Sequence, residues 1–448
     1  MGSASHVMSL ALQEGARGLE LPSLDFAYLG TRAIVGIIML IHMFFAQLFI
    51  GFIVASPLLQ WWGTRRDDAR MQRLSKALDS FNVLTFSIGA TFAGMFLVLI
   101  IGLYPRVTAT LFTHFFWFFP TLAMATMGAT IFFLYLYHYR TQRSSILAGL
   151  GAAVFILLWQ AILTGMDTFM VTGGGPGERL QSGENLTFSS LGDALGSMLN
   201  PMFIPMVVHR TFGNLSWPAF AVAGWAAFAY GRAKKAGDKE FYDWAGSMGL
   251  MWGTVFLLLQ PLGGFAMVLS LKLVGYGASG PYHRLVGAGG SESFTSNLLY
   301  INLLMVIGLF VLSNLAMYVE SGRHPDPRGQ LPLRLFGFIG AVSGLYSVSP
   351  LAEFPFLYIR YITLLVMVLA TVGALVNYVR MRRAFVYGSL SGGYRAALLL
   401  VGVVAVATTL GMGFMKSNSR SPYTIYGQSE YRVNSERPVT QEQLRAQP

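Results

Sequence analysis

Apolar stretches recur along this chain, each long enough to cross about 30 Å of hydrocarbon as a helix. They run over residues 31–60, 79–103, 108–137, 145–171, 201–230, 244–273, 296–319, 333–350, 354–380 and 395–415. Inside hydrocarbon every backbone N–H and C=O must bond within the protein, so segments of this length cross as helices. The pattern predicts an all-α fold: a polytopic membrane helical bundle of about nine to ten transmembrane helices. Charged residues make up only 11% of the 448, against roughly 25% in soluble chains. That share excludes an ordinary soluble enzyme and a disordered chain.

The formal charge of +11 would suggest nucleic acid in a soluble protein. Here the basic residues sort by loop. One set of alternate loops holds Arg65, Arg66, Arg70, Arg73 and Lys76; Arg140 and Arg143; Arg232, Lys234, Lys235 and Lys239; Arg323, Arg328 and Arg334; Arg380, Arg382, Arg383 and Arg395. The other set holds only Arg106, Arg179, Lys272 and Arg284. The positive-inside rule places the first set in the cytoplasm and the N-terminus outside. The charge is therefore a record of topology, and nucleic acid is not an expected partner. Residues 1–30 lack a basic-then-apolar secretory design and read as an extra-cytoplasmic segment. The absence of cysteine excludes disulfides, Cys-ligated iron–sulfur clusters and a CxxCH haem attachment in this chain.

Ionisable groups inside a bilayer are costly and are functional candidates by default. Of the seven histidines, three fall inside spans. His42, His209 and His114 lie about 18, 13 and 9 Å from the outer side at 1.5 Å per residue. A lone intramembrane imidazole is as readily a hydrogen-bonded core residue as a ligand; three on one side favour ligation. No HxxxH, HxH or ExxH pair occurs in these spans, which argues against a zinc or copper site. Haem needs only one or two axial ligands, and a thioether can be one of them. Met305 lies about as deep as His209 on another helix, although with 22 methionines depth alone is weak support. Arg210 and Arg360 are either snorkelling residues or counter-charges for haem propionates. Asp167 and Glu353 lie near the outer face, as proton-path groups, a weak iron ligand or solvated acids.

These residues carry a resemblance. NPMFIPMVVH, with Asn200-Pro201 leading to His209, resembles the entry to the histidine helix of the low-spin b haem in subunit I of the cytochrome bd quinol oxidases. IHMFFAQLFIG, with His42 nine residues before Gly51, is similar to that family's first-helix histidine serving an oxygen-reducing haem. LLYINLLMVIGL is similar to the helix supplying the methionine ligand, with Met305 at that place within one residue. The resemblance covers about residues 30–380. It implies a nine-helix membrane domain over 31–380, with a loop and added helix over 381–415 and a polar extra-cytoplasmic tail over 416–448.

The chain departs from the family in three places. The 108–137 stretch, FFWFFPTLAMATMGATIFFLYLY, has no carboxylate where the family has glutamates. YSVSPLAEF stands in place of the Gly-Arg-Gln-Pro-Trp signature, with Glu353 close to a haem-ligating glutamate position. The outer loop between the sixth and seventh spans is short, with Glu292 its only acid. The resemblance thus implies haem b and quinol rather than oxygen reduction. The expected protein is an integral-membrane haem b electron-transfer subunit of the prokaryotic cytoplasmic membrane. It would pass electrons between the quinone pool and an extra-cytoplasmic partner, a cytochrome c or iron–sulfur protein, beside other membrane subunits. The rival readings are a divergent terminal quinol:oxygen oxidase using His42 and Glu353, and a haem-free scaffold or transport subunit.

Overall fold

The computed structural model describes residues 30–104, 107, 126–127, 130–131, 142–173, 196, 198–274, 280–286, 294–353, 358–421, 423–427, 429–430 and 437–438. The stretch at 108–137, with His114, lies almost wholly outside the described residues, as does the side chain of Glu353.

The apolar runs form helices α1 (Gly30–Arg66), α2 (Ala69–Leu103), α3 (Gln142–Thr172), α4 (Phe203–Arg232) and α5 (Ala236–Val274). After the short α6 (Pro281–Val286) come α7 (Phe294–Glu320), α8 (Pro327–Val348), α9 (Ile359–Met381) and α10 (Gly392–Ser419). Eight of these are long and apolar enough to cross a membrane. The 30-residue α4, which holds His209, Arg210 and Asn214, is not among the eight; it packs along α5 and α10. The chain is a polytopic helical membrane protein.

Several helices start earlier than the apolar runs, because polar turns extend beyond the hydrocarbon. α2 begins at Ala69, where Asp68 caps it by accepting from the N–H groups of Arg70 and Met71 at 2.9 and 3.3 Å. Asp67 before it takes a positive φ of 50°, which turns α1 directly into α2. α8 begins at Pro327, with Asp326 accepting from Arg328 N–H at 3.0 Å. A proline just inside a helix start removes an N–H that has no intrahelical partner there.

The basic connections meet at one end of the bundle. Arg73 at the start of α2 pairs with Asp238 on α5 at 2.7 Å. Arg323 after α7 donates to both carboxylate oxygens of Asp243 on α5, at 2.8 and 2.7 Å, and to Ser389 O at 2.9 Å. Tyr230 at the end of α4 donates to Gly388 O at 3.0 Å. This is the inner end assigned by the loop charges. Its buried centre is Glu320, which accepts from Tyr378 Oη and lies 3.4 Å from Arg323 Nη1. Arg382 and Tyr378 both bond Ser247 Oγ at 2.7 Å.

α1 pairs with α2, α4 with α5, and α8 with α9. α10, an addition to the nine-helix pattern in the sequence reading, sits centrally, packed on both α4 and α7. Small residues admit it. A Cβ on Gly224 would lie 3.3 Å from Gly402 Cα, and one on Gly411 would strike the Asn302 side chain. Such small-residue contacts drive helix association in lipid, where apolar burial adds little. Beyond α10, residues 423–438 include a small antiparallel sheet, Tyr423–Ile425, Ser429–Glu430 and Arg437–Pro438. Tyr426 N–H donates to Met170 O at 2.9 Å, and buried Ile425 packs with Phe169. This part of the tail is therefore docked on the outer end of α3.

Candidate functional site

The outer half of the bundle holds the intramembrane residues singled out from sequence. His209 lies on α4 against a notch in α5. A Cβ on Gly263 would stand 3.0 Å from His209 Cα, and one on Gly264 would lie 3.5 Å from Cε1 and 3.7 Å from Nδ1. Two adjacent glycines thus let α5 pass over the imidazole. Gln260, one turn earlier on α5, donates to His209 O at 3.2 Å. Nδ1 of His209 is buried and has no hydrogen-bond partner among the described residues. A buried ring nitrogen left unpaired costs on the order of 1–3 kcal/mol, which a ligand on Nδ1 would offset.

His42 on α1 is held differently. Its Nδ1 lies 2.9 Å from Gly89 O on α2, which makes Nδ1 the donor and leaves Nε2 as the lone-pair nitrogen. A carbonyl fixing one ring nitrogen while the other faces a metal is the usual support of a ligating histidine.

The two histidines share a level. α1 and α4 run in the same direction and cross where a Cβ on Gly51 would strike Asn214 O and the Pro218 ring. Pro218 has no N–H, so the Asn214 carbonyl is released from the helical ladder at this crossing. Trp217 Nε1 donates to Gln47 Oε1 at 3.0 Å across the same contact. His42 precedes Gly51 by nine residues, and His209 precedes Pro218 by nine. Each stands about 13 Å outward of the crossing.

The neighbouring face of α4 carries a polar ladder to α3. Gln160, Thr164 and Asp167, at i, i+4 and i+7, share one face of α3. Asn214 Nδ2 donates to Gln160 Oε1 at 2.7 Å, and Gln160 Nε2 to Thr211 Oγ1 at 2.8 Å. Arg210 Nη1 donates to Thr164 Oγ1 at 3.2 Å and to Asp167 Oδ2 at 2.9 Å. Lys416 of α10 also pairs with Asp167. Arg420, one turn further, has a buried Nε without a partner among the described residues. Two cations, Arg210 and Lys416, thus meet one carboxylate beside the His209 turn. The Asn200-Pro201 motif has a local task here: Asn200 accepts from Met202 N–H at 3.1 Å and donates to Thr168 Oγ1 at 3.0 Å, fixing the entry of α4 to α3.

Met305 is half-buried on α7, which packs along α10 and not along α4. The turn of α4 before His209 instead joins a methionine-rich cluster containing Met202, Met206, Met267, Met412 and Met415. Leu298 and Leu299 of α7 reach that same cluster. Arg360 stands one residue into α9. Among the described residues no cluster of three or more His, Cys, Asp or Glu could chelate a metal ion. Sequence reasoning passed over Lys416 and Arg420, which look like the start of a polar tail, and Asp79, at the edge of an apolar run. The signal for Asp79 was present: an acid at a core position of a span.

No protein-family model matches the chain, and no curated protein matches it. Among solved structures it is similar to the bd oxidase from Geobacillus thermodenitrificans, at 14% identity and a TM-score of 0.49. The match covers 86% of this chain and 97% of that one.

Proposed function

We propose that this protein is an integral-membrane haem b electron-transfer subunit, with His209 and His42 as iron ligands in the outer half of the membrane. The observation that carries the reading is the His209 imidazole, buried under the Gly263–Gly264 notch with Nδ1 unpaired. His42 fits the same role, because the Gly89 carbonyl orients it and frees Nε2. The glycine notch offers a flat wall beside the ring, and single histidines suit a porphyrin iron better than a chelated ion.

A bound haem supplies one-electron redox chemistry. The chain supplies the remainder. α4 and α1 hold the two imidazoles at one level. Among the described residues Arg210 and Lys416 outnumber Asp167, the carboxylate they share, an excess that favours carboxylates such as propionates on this side. Met305, a methionine of the cluster beside His209, or a second histidine would help His209 hold the haem. Arg360, His114 and Glu353 remain outer-side candidates for propionate, haem or proton contacts. Electrons pass between the quinone pool and an extra-cytoplasmic cytochrome c or iron–sulfur partner, with further membrane subunits alongside. The chain is then a quinol-linked oxidoreductase subunit of the prokaryotic cytoplasmic membrane.

The test is a reduced-minus-oxidised spectrum of the purified protein. A b-type band that is lost or shifted in His209→Ala supports the reading. A protein without any such band is a haem-free scaffold or transporter. Oxygen consumption with added quinol that is lost in His42→Ala would instead establish a terminal oxidase.

A further inference from the structure

The seam between α1 and α2 holds a second polar site, separate from the outer-half histidines. Ser75, Asp79, Asn82, Thr85 and Gly89 are all buried on α2. Their spacing of four, three, three and four residues lines one helical face. Ser56 of α1 faces them. Ser56, Ser75, Asp79 and Asn82 each have 0% exposure, so solvent does not satisfy them from outside.

The bonds made are few. Ser56 Oγ donates to Asp79 Oδ1 at 2.7 Å, and Ser75 Oγ donates to Ser56 O at 2.8 Å. Asp79 Oδ2 and both amide atoms of Asn82 are buried and have no hydrogen-bond partner among the described residues. No lysine, arginine or histidine pairs with Asp79 among those residues. The charged groups at this end of α2 lie toward the inner rim: Lys76, one turn before Asp79, is exposed, Arg73 pairs with Asp238 at 2.7 Å, and Arg70 lies 3.9 Å from Glu240. From α1 the polar groups on this side are Ser56 and Gln60, and Gln60 is bonded to Ser145 of α3. Leu74, Leu78, Phe52 and Leu59 supply apolar walls.

An ionised carboxylate taken from water without a paired cation is expensive, so such a group keeps a proton or a positive ligand. The unpaired atoms decide which. Two are acceptors, Asp79 Oδ2 and the Asn82 amide oxygen; one is a donor, the Asn82 amide nitrogen. Whichever way the amide is turned, one end donates. A water molecule meets all three, donating twice and accepting once. A bare metal cation is repelled by the amide N–H.

We propose that Asp79, with Ser56, Ser75 and Asn82, forms a hydrated proton-binding site on the α1–α2 seam that exchanges with the inner face. Ser75 stands six residues into α2, about 9 Å from its inner start. Outward, Thr85 Oγ1 bonds Asn82 O at 3.3 Å, and Gly89 O receives His42. The polar line therefore rises about 15 Å from Asp79 to the His42 level. The site stands whether or not haem is bound.

The experiment uses the full chain in lipid nanodiscs, treated with dicyclohexylcarbodiimide, which modifies protonated carboxyls in apolar surroundings. Peptide mass spectrometry localises the adduct. The expected result is modification at Asp79 that falls about tenfold per pH unit once the carboxyl ionises. Infrared spectra of protein carrying isotope-labelled aspartate give a readout without a variant: a protonated-carboxyl stretch that shifts in heavy water and is missing in Asp79→Asn. An Asp79 peptide left unmodified across the pH range, while the unfolded chain is modified there, overturns the proposal. So does protection by sodium chloride and not by choline chloride, which would mark a metal-cation site.

Discussion

Two adjacent glycines above the His209 ring give a paired test with opposite outcomes. In Gly263→Ala the new methyl would stand 3.0 Å from His209 Cα and 3.1 Å from its Cβ. Comfortable carbon–carbon contact is about 3.5–4.0 Å, so α4 and α5 must part by roughly 0.5–1 Å. The clash is with backbone and cannot be relieved by a rotamer change. Overpacking of this kind costs about 1–3 kcal/mol, partly offset by the 0.5–1 kcal/mol that alanine gains over glycine in a helix. In Gly264→Ala the methyl lies 3.5 Å from Cε1 and 3.7 Å from Nδ1, in ordinary contact. This variant keeps the helix gain without the clash. Thermal unfolding of the purified protein in detergent should rank Gly263→Ala below the parent and Gly264→Ala at or above it. The haem spectrum should broaden or weaken in Gly263→Ala alone. A Gly264→Ala protein less stable than Gly263→Ala would refute the notch geometry.

The other expectations are brief. Asp243→Ala leaves the Arg323 guanidinium buried without its bidentate partner and should destabilise by about 3–5 kcal/mol, read as a fall in Tm; restoration by also changing Arg323 to Met would identify the stranded charge as the cause. Asp167→Asn removes the carboxylate that pairs with Arg210 and Lys416, so any haem bound nearby should titrate at a higher midpoint potential, whereas Arg210→Leu should lower it. Gly51→Val drives side-chain atoms into Asn214 O and Pro218, and the shifted α1 should lose His42-dependent spectral features before His209-dependent ones.

Much of the bundle was legible because hydrocarbon enforces a simple code. The length of an apolar run gave its span in eight of the ten stretches, and Arg73, Arg232 and Arg323 marked the inner side. The ends were harder to place. Asp68 and Asp326 cap helices several residues before the apolar runs begin, in polar sequence that hydropathy passes over. Depth placed His42 and His209 in the outer half, at about 18 and 13 Å; their common level came only with the crossing at Gly51 and Pro218. The neighbours of each helix were not legible. Met305 and His209 match in depth, yet α10 packs along both of their helices, and nothing in an apolar run states which helix will face it. That choice rests on Gly224 against Gly402 and Gly411 against Asn302, contacts between residues far apart in sequence. The partners of Asp167 were not legible either, because Arg210 lies 43 positions later and Lys416 lies 249.

The central position of α10 has a consequence for biogenesis. Ribosomes release the N-terminal helices first, so α1 through α9 enter the bilayer while the last helix is still being made. Until α10 arrives, the groove it fills stays open, and Asp167 has Arg210 but not Lys416. The outer end around Asp167 and the methionine cluster therefore gains its last helical wall only then. A porphyrin would have its widest access in that interval, and insertion of the final helix would then close the pocket around it. A chain stopped before Gly392 should integrate into the membrane yet retain no haem, linking cofactor capture to completion of translation.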